Sequence, residues 1–381
     1  FGCVTFLWMY WLMTVLAMGR LASASVAFAI DCAAMLSLCF WWYNNSALVL
    51  AAVFFLACLA YTKQPQSVAV QLSYVSSLAL LSVMKPNIAG LAIVGGVVLL
   101  LLLTENRVRL LLLTLAATVA AVLFLLLNHV PIPAMLASYI SVAKGRGGVG
   151  ARFGYREMST FDKHTALAWI GLLSVPLLGL IPRILRLSRE KNWHEIIYTL
   201  FFPLALLIAL YGLATNGEFR DVNCTVLLAA GGVLTFSAVR NGRFLRRFYI
   251  AVLCASIAAN LYYGAARIRV YLVGPDLFFQ WHDNNHRIDT GFLKDMRVGG
   301  NMIELNREIK LATEQHPGPY FFGTRIDYSY AVLGLPSPTH FPAWWHPGTA
   351  FPFSEEDQIL EDWQKHQFQT LVFLKPGYLG Y

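Results

Sequence analysis

Charge is what this sequence has least of. Only 13% of its 381 residues are Asp, Glu, Lys or Arg, against about 25% in an average soluble domain. Hydrophobic residues make up 57%, and the mean hydropathy is +0.56. That balance excludes an ordinary soluble globule. Strong catalytic signatures are missing as well: there is no Walker loop, no HExxH and no Ser-His-Asp spacing. The nine histidines fall mostly in loops and in the tail, without metal-ligand spacing. Six cysteines (Cys3, Cys32, Cys39, Cys58, Cys224, Cys254) lie in or beside apolar runs, with no CxxC pair. They read as small buried hydrophobes, and the cysteine-free tail is not stapled by disulfides.

What the chain has instead is apolar runs. A bilayer core needs about 20 apolar residues per helix. Ten stretches come close: 3–19, 25–43, 46–62, 66–84, 87–104, 108–128, 166–182, 195–214, 222–239 and 247–264. Backbone groups in lipid must be satisfied within the segment, so these predict helices and not strands. The expected architecture is an α-helical polytopic membrane protein over 1–264, with a small α/β domain over 265–381. Charge divides at the same place. Up to residue 264 there are 19 Lys/Arg against 8 Asp/Glu; from 265 onward there are 10 against 13. The basic half points to anionic lipid or an anionic substrate, and not to nucleic acid.

Lys and Arg in short loops set orientation. Arg107 and Arg109; Arg183, Arg186, Arg189 and Lys191; and Arg240, Arg243, Arg246 and Arg247 form three basic loops. With these in the cytoplasm, Arg20 and Lys63 fall inside too, and the tail falls outside. That describes an integral protein of a bacterial inner or plasma membrane with an extracytoplasmic C-terminal domain. One outer loop breaks the pattern. Residues 129–165 carry Lys144, Arg146, Arg152, Arg156 and Lys163 against Glu157 and Asp162. Its glycines (145, 147, 148 and 150) let backbone N–H groups approach a phosphate. The alternative is a loop that touches headgroups.

Within the apolar part, Asp31 is the one acid deep in a run, 11 residues from Arg20. It reads either as a functional intramembrane carboxyl or as one that pairs with Arg20 or stays protonated. Lys85-Pro86-Asn87 separates two runs at the expected outer surface. Pro86 ends one helix and opens the next. Lys85 then suits a lipid-linked phosphate, or merely snorkels to the interface. Asn44-Asn45-Ser46 and Asn223-Cys224-Thr225 match the glycosylation pattern but abut the membrane, so they read as caps or sugar-binding amides. Asn216, Glu218, Arg220 and Asp221 form a dense outer patch that capping explains equally well.

In the tail, 301–315 suits an amphipathic helix through Met302, Ile303, Leu305, Ile309 and Leu311. His316-Pro317-Gly318-Pro319 breaks it. Tyr320-Phe321-Phe322-Gly323 reads as a buried strand. A second helix starts at Ser354-Glu355-Glu356 and runs to about His366, with Ile359, Leu360 and Trp363 on one face. Residues 370–374 read as a second buried strand, giving a small α/β layer. Trp344, Trp345 and His346, in the Pro-rich stretch 336–352, suit either sugar faces or docking at the membrane interface.

Three pieces carry a family resemblance: Tyr43-Asn44-Asn45-Ser46 through to Met84-Lys85-Pro86-Asn87 with Gly90; Ala214-Thr215-Asn216-Gly217-Glu218; and the tail's PYFFG, SPTHFP and FQTLVFL. In this arrangement the chain resembles the GT-C glycosyltransferases, integral membrane enzymes that use polyprenyl-phosphate sugars. The resemblance implies transfer of a hexosyl or pentosyl group from a polyprenyl phosphate to a lipid, glycan or protein acceptor on the outer face. Within the pieces that carry it, Lys85, Asn87 and Asn45 are the candidate substrate contacts; the basic outer loop adds Lys144, Arg146, Arg152 and Arg156, and the outer patch adds Arg220. The family's catalytic acid sits in an outer loop that would precede Phe1, so Glu157, Asp162, Glu218 and Asp221 are only assisting carboxylates. No metal ligands or resident cofactor are specified, and a divalent metal is compatible with the chemistry. The competing class is a transporter or lipid flippase without covalent chemistry, for which Asp31 is the one qualifying residue and no internal repeat is found.

Overall fold

The structure, a computed structural model, describes residues 1–17, 19–36, 43–133, 135–136, 139–140, 180–214, 286–289, 294–316, 318–323, 326–338 and 355–374. It is mostly helical. The chain forms two compact units, one of Phe1–Ile132 with Phe153–Ala265 and one of Pro133–Arg152 with Ala266–Tyr381.

The first unit is a helical bundle. Its described helices are α1 (Gly2–Val15), α2 (Arg20–Leu36), α3 (Tyr43–Lys63), α4 (Val68–Met84), α5 (Pro86–Ala92), α6 (Val98–Leu103), α7 (Arg107–Leu127), α8 (180–189) and α9 (Trp193–Ala214). A wide π-helical turn, Ile93–Val97, joins α5 to α6 into one rod. Three segments are long and apolar enough to cross a membrane: Ser46–Lys63, Pro86–Leu103 and Arg107–Leu127. At about 1.5 Å rise per residue each approaches the roughly 30 Å hydrocarbon thickness. This is compatible with an integral membrane protein. The helices α1 and α4 are apolar but shorter.

The outer helices leave apolar side chains uncovered. On α7, Leu112, Leu115, Leu123 and Phe124 are each more than half exposed, a pattern that suits lipid and not water. At the centre sits α3, packed against α1, α4 and α9 and buried along nearly its whole length. Its small residues (Ala47, Ala51, Ala52, Ala57, Ala60) allow close approach of neighbours, the main source of helix cohesion where lipid removes the hydrophobic driving force. Phe54, Phe55, Tyr61 and Tyr74 fill the interior, with Phe54 and Phe55 edge-to-face at 5.5 Å. Polar bonds tie the bundle across: Trp8 Nε1 donates to Ser73 Oγ at 2.9 Å, and Tyr74 Oη meets Thr114 Oγ1 at 2.8 Å.

Several basic residues gather at one end of this bundle. Arg109 donates to Gln66 Oε1 between α7 and the α3–α4 turn. Lys63 Nζ lies 5.4 Å above the Tyr198 ring in the first turns of α9. Arg183 on α8 meets Glu195 on α9 at 3.4 Å. The basic stretches at 107–109 and 183–191 therefore meet near Lys63, and they are not loops as expected: Arg107 and Arg109 begin α7, and Arg183, Arg186 and Arg189 lie within α8. Asn106 caps α7 by accepting from Arg109 N–H at 3.0 Å. Arg107 and Arg109 occupy a first turn where the helix dipole disfavours cations, so their placement answers to the bundle end and not to the helix.

The described part of the second unit is built on two short sheets. Strands β1 (His286–Arg287) and β2 (Arg297–Val298) pair antiparallel, while β3 (Tyr320–Phe322) and β4 (Thr370–Val372) pair parallel, Phe321 opposite Leu371. On one face of β3–β4, helix α10 (Gly300–Gln315) supplies Leu305 and Ile309, the short α11 (Ser329–Leu333) supplies Tyr330, and Ile326 comes from the turn before α11, forming a core around Phe322. On the other, α12 (Glu356–His366) lays Trp363 on Phe321 with ring centroids 4.1 Å apart. Gly334, at φ 66°, ends α11 in the left-handed conformation that favours glycine.

Two expectations change here. Leu311, placed on the apolar face of α10, is 47% exposed, and Leu360 on α12 is 53% exposed. Over 370–374, read as a buried strand, one face is only half-buried (Thr370, Val372 and Leu374), and on the other Leu371 and Phe373 are 49% and 60% exposed. An unbroken apolar run reads as buried on both faces, whereas here alternate side chains turn outward.

Candidate functional site

Lys85 sits where α4 ends and α5 begins. Pro86 has no N–H to continue a helix, and its ring pushes the preceding residue out of the helical region. Lys85 accordingly takes φ −151°, ψ 83°, and Pro86 occupies the first turn of α5. The backbone loses little by the break. Lys85 N–H donates to Leu81 C=O at 2.9 Å, and Lys85 C=O accepts from Ala89 N–H at 3.0 Å. One residue thus serves as C-cap of one helix and N-cap of the next.

Only 6% of Lys85 is exposed. A lysine so placed in an apolar bundle is costly unless anionic or hydrogen-bonding groups face it. Asn87, two residues on, is half-buried in the first turn of α5. The chain runs from Lys63 along α4 to Lys85, so Lys85 lies at the end of α4 away from the basic cluster of Lys63 and Arg109.

A second buried ionisable residue lies between α1 and α2. Thr5 Oγ1 donates to Asp31 Oδ1 at 2.9 Å, and Asp31 Oδ2 is buried with no hydrogen-bond partner. Asp31 as a whole is 8% exposed. Arg20, the partner considered from sequence, makes no ion pair with it among the described residues.

The other sequence candidates stand apart from this geometry. Asn45 falls within the helical residues of α3, not ahead of its first turn, and its neighbour Ser46 is buried. Lys144, Arg146, Arg152, Arg156, Glu157, Asp162, Glu218, Arg220 and Asp221 lie outside the described residues, as do Trp344, Trp345 and His346. Among the described residues no three His, Cys, Asp or Glu side chains converge as a metal site. The structure therefore places Lys85 at the α4–α5 break with Asn87 two residues on, and adds the Thr5–Asp31 pair, whose contact no spacing in the sequence announces. Comparison with protein-family models, with curated proteins and with solved structures finds no match to this chain.

Proposed function

We propose that this chain is a polytopic membrane glycosyltransferase of the GT-C type, in which Lys85 receives the phosphate of a polyprenyl-phosphate sugar. The observation that carries this reading is a lysine buried at a Lys-Pro-Asn helix break inside an apolar bundle. A site for a lipid-linked phosphate needs a cation at membrane depth with apolar walls for the isoprenoid, and the break supplies the first while the bundle's uncovered apolar faces suit the second. In this proposal ten helices span the membrane, the basic bundle end faces the cytoplasm, and Lys85 and the C-terminal α/β domain face outward. The acceptor is a hydroxyl of a lipid, glycan or protein.

The mechanism follows from where charge develops. As the sugar leaves, the donor phosphodiester becomes a lipid phosphate monoester and gains negative charge. An ammonium already held at that position stabilises the transition state more than the ground state. Asn87 can donate a hydrogen bond to the same phosphate. The acceptor hydroxyl needs a base, for which Glu157, Asp162, Glu218 and Asp221 are the chain's candidates.

The test is transfer from a radiolabelled polyprenyl-phosphate sugar by Lys85→Ala in nanodiscs. Loss of one such electrostatic contact costs about 3 kcal/mol, roughly a hundredfold in rate. Melting measured in parallel separates this from unfolding, and Lys85→Arg restores part of the rate by keeping the charge but not its point geometry. Undiminished transfer by a folded Lys85→Ala protein rejects the reading.

The alternative, a transporter or flippase, has one specific observation in its favour: the buried Asp31 with an open oxygen. Under that reading Asp31→Asn abolishes pH-driven movement of solute or lipid in proteoliposomes, while Lys85→Ala leaves it unchanged.

A further inference from the structure

Lys85 is 6% exposed, so a phosphate reaches its ammonium only if a neighbouring element moves. Helix α5 (Pro86–Ala92) is a seven-residue piece with an interruption at each end. At one end Lys85 leaves the helical region, at φ −151° and ψ 83°. At the other, the π turn Ile93–Val97 widens the rod. Helices change direction at prolines and at π turns, where the main-chain ladder is broken or stretched, and π turns recur at functional sites. The outward face of α5, at Gly90 and Leu91, is exposed.

The helix beside this rod is interrupted at the same level. Helix α9 packs along α5, the π turn and α6. Pro203 stands inside α9 and supplies no N–H to it. Its neighbour Leu204 is the residue that a Cβ on Gly95 would meet, at 2.5 Å. The lengths agree: at about 1.5 Å per residue, Pro203 lies about 15 Å from the start of α9, and Gly95 about 12 Å from the end of α6, both measured from the basic end of the bundle. Two adjacent helices are thus weakened side by side, between the packed basic end and Lys85.

We propose, building on the reading that Lys85 receives the donor phosphate, that α5 is a gate over Lys85. It tilts as one piece about the π turn and the Lys85 joint, and so opens the way for a lipid phosphate to the ammonium. From Gly95 to Lys85 the lever is about 15 Å, so a kink of about 20° carries the end of α5 by about 5 Å. That converts a contact at hydrogen-bond distance, about 3 Å, into an open gap.

The experiment reads the gate without reading transfer. The full chain in nanodiscs is treated with a small succinimidyl ester, and acylation of Lys85 is followed by peptide mass spectrometry. Amide exchange at Ser77 and Leu78, buried in α4, is measured beside it. A Cβ on Gly96 would lie 2.7 Å from Phe54 Cε1, so Gly96→Ala disfavours the closed packing. Lys85 is then acylated about tenfold faster, the shift one overpacked methyl gives, while α4 exchange is unchanged and Phe54→Leu in the same chain returns the rate toward wild type. Gly95→Ala, against the rotatable Leu204, gives the same sign more weakly and serves if Gly96→Ala does not fold. Gly90→Ala stiffens α5 without meeting a neighbour within 4 Å and leaves the rate unchanged, because α5 moves whole. Unchanged acylation in both turn variants rejects the gate. Faster α4 exchange alongside it shows general loosening and rejects it too. Slower acylation in Gly90→Ala means that α5 unwinds and does not tilt, which overturns the mechanism. Polyprenyl phosphate slows Lys85 acylation in the wild type, and polyprenol of the same length does not. Failure of that arm rejects the phosphate reading, and the gate then stands or falls on the turn variants alone.

Discussion

The Tyr330 hydroxyl stands where a neighbouring strand would. One oxygen satisfies a buried N–H and a C=O two residues apart on β3, so its removal leaves both main-chain groups without partners. Tyr330→Phe keeps the ring and its edge-to-face contact with Phe322 at 4.7 Å. The loss is therefore polar, about 1–3 kcal/mol for a buried group left unsatisfied. Faster amide exchange at Phe322, with Phe54 and its neighbours in the bundle unchanged, is the expected readout; unchanged exchange rejects the role. Burial raises the Tyr330 hydroxyl above the ordinary tyrosine value, the bond from Phe322 N–H lowers it, and Asp327 raises it further. The sign follows. The unfolded chain ionises first, at about pH 10, so this contribution is intact below pH 10 and is lost as pH rises through the higher folded value. Tyr330→Phe flattens that alkaline dependence.

Among the elements, the rod of α5, the π turn and α6 shows most clearly what a sequence conceals. The run 87–104 predicts one helix, and residues 86–103 are helical throughout. The widened turn at Ile93–Val97 is absent from any apolar period, because it answers to neighbours distant in sequence. A Cβ on Gly95 would lie 2.5 Å from both Leu204 methyls, and one on Gly96 would lie 2.7 Å from Phe54 Cε1. Leu204 is partly buried and can rotate, while Phe54 is fully buried and wedged between Phe55 and Tyr74. Gly96→Ala therefore costs more than Gly95→Ala, within the roughly 1–3 kcal/mol typical of overpacking. Thermal midpoints in detergent give the order, and Phe54→Leu in the Gly96→Ala background recovers part of the loss. A reversed order means the π turn relaxes and these contacts do not set its position.

The same division between local and distant causes runs through the other elements. The runs 46–62, 66–84 and 108–128 foretell α3, α4 and α7 closely, because apolar length and flanking polar residues are local facts. Helix α2 starts at Arg20, earlier than its apolar run at 25, since Ala- and Ser-rich residues extend a helix without raising hydropathy. In the tail, α10, β3 and α12 follow from periodicity and breakers. The pairs β1 and β2 are two residues each and leave no pattern to read. Lys85 was visible as a helix break because Pro86 announces it. Its burial was not, since that is decided by the helices packed around it.

At the scale of the whole molecule, charge supplies the argument. Lys63, Arg107, Arg109, Arg183, Arg186, Arg189 and Lys191 come from segments far apart in sequence, yet the fold of the first unit gathers them at one end, with Lys85 at the other end of α4. Cationic segments are retained in the cytoplasm during insertion, so this end is expected to be cytoplasmic, and under the proposed topology the tail is expected outside. Substituted cysteines test the assignment in a background freed of the six native ones. Lys191→Cys probes the basic end, and Gln364→Cys, on the exposed side of α12, probes the tail. A membrane-impermeant maleimide applied to intact cells labels position 364 at once and position 191 only after lysis. The reverse pattern inverts the topology and puts Lys85 on the cytoplasmic side, where an outward-facing transfer reaction has no access to it. Labelling of both positions in intact cells places an even number of crossings between them where ten spans require three, and the count of ten spans then fails even if the glycosyl transfer reading survives.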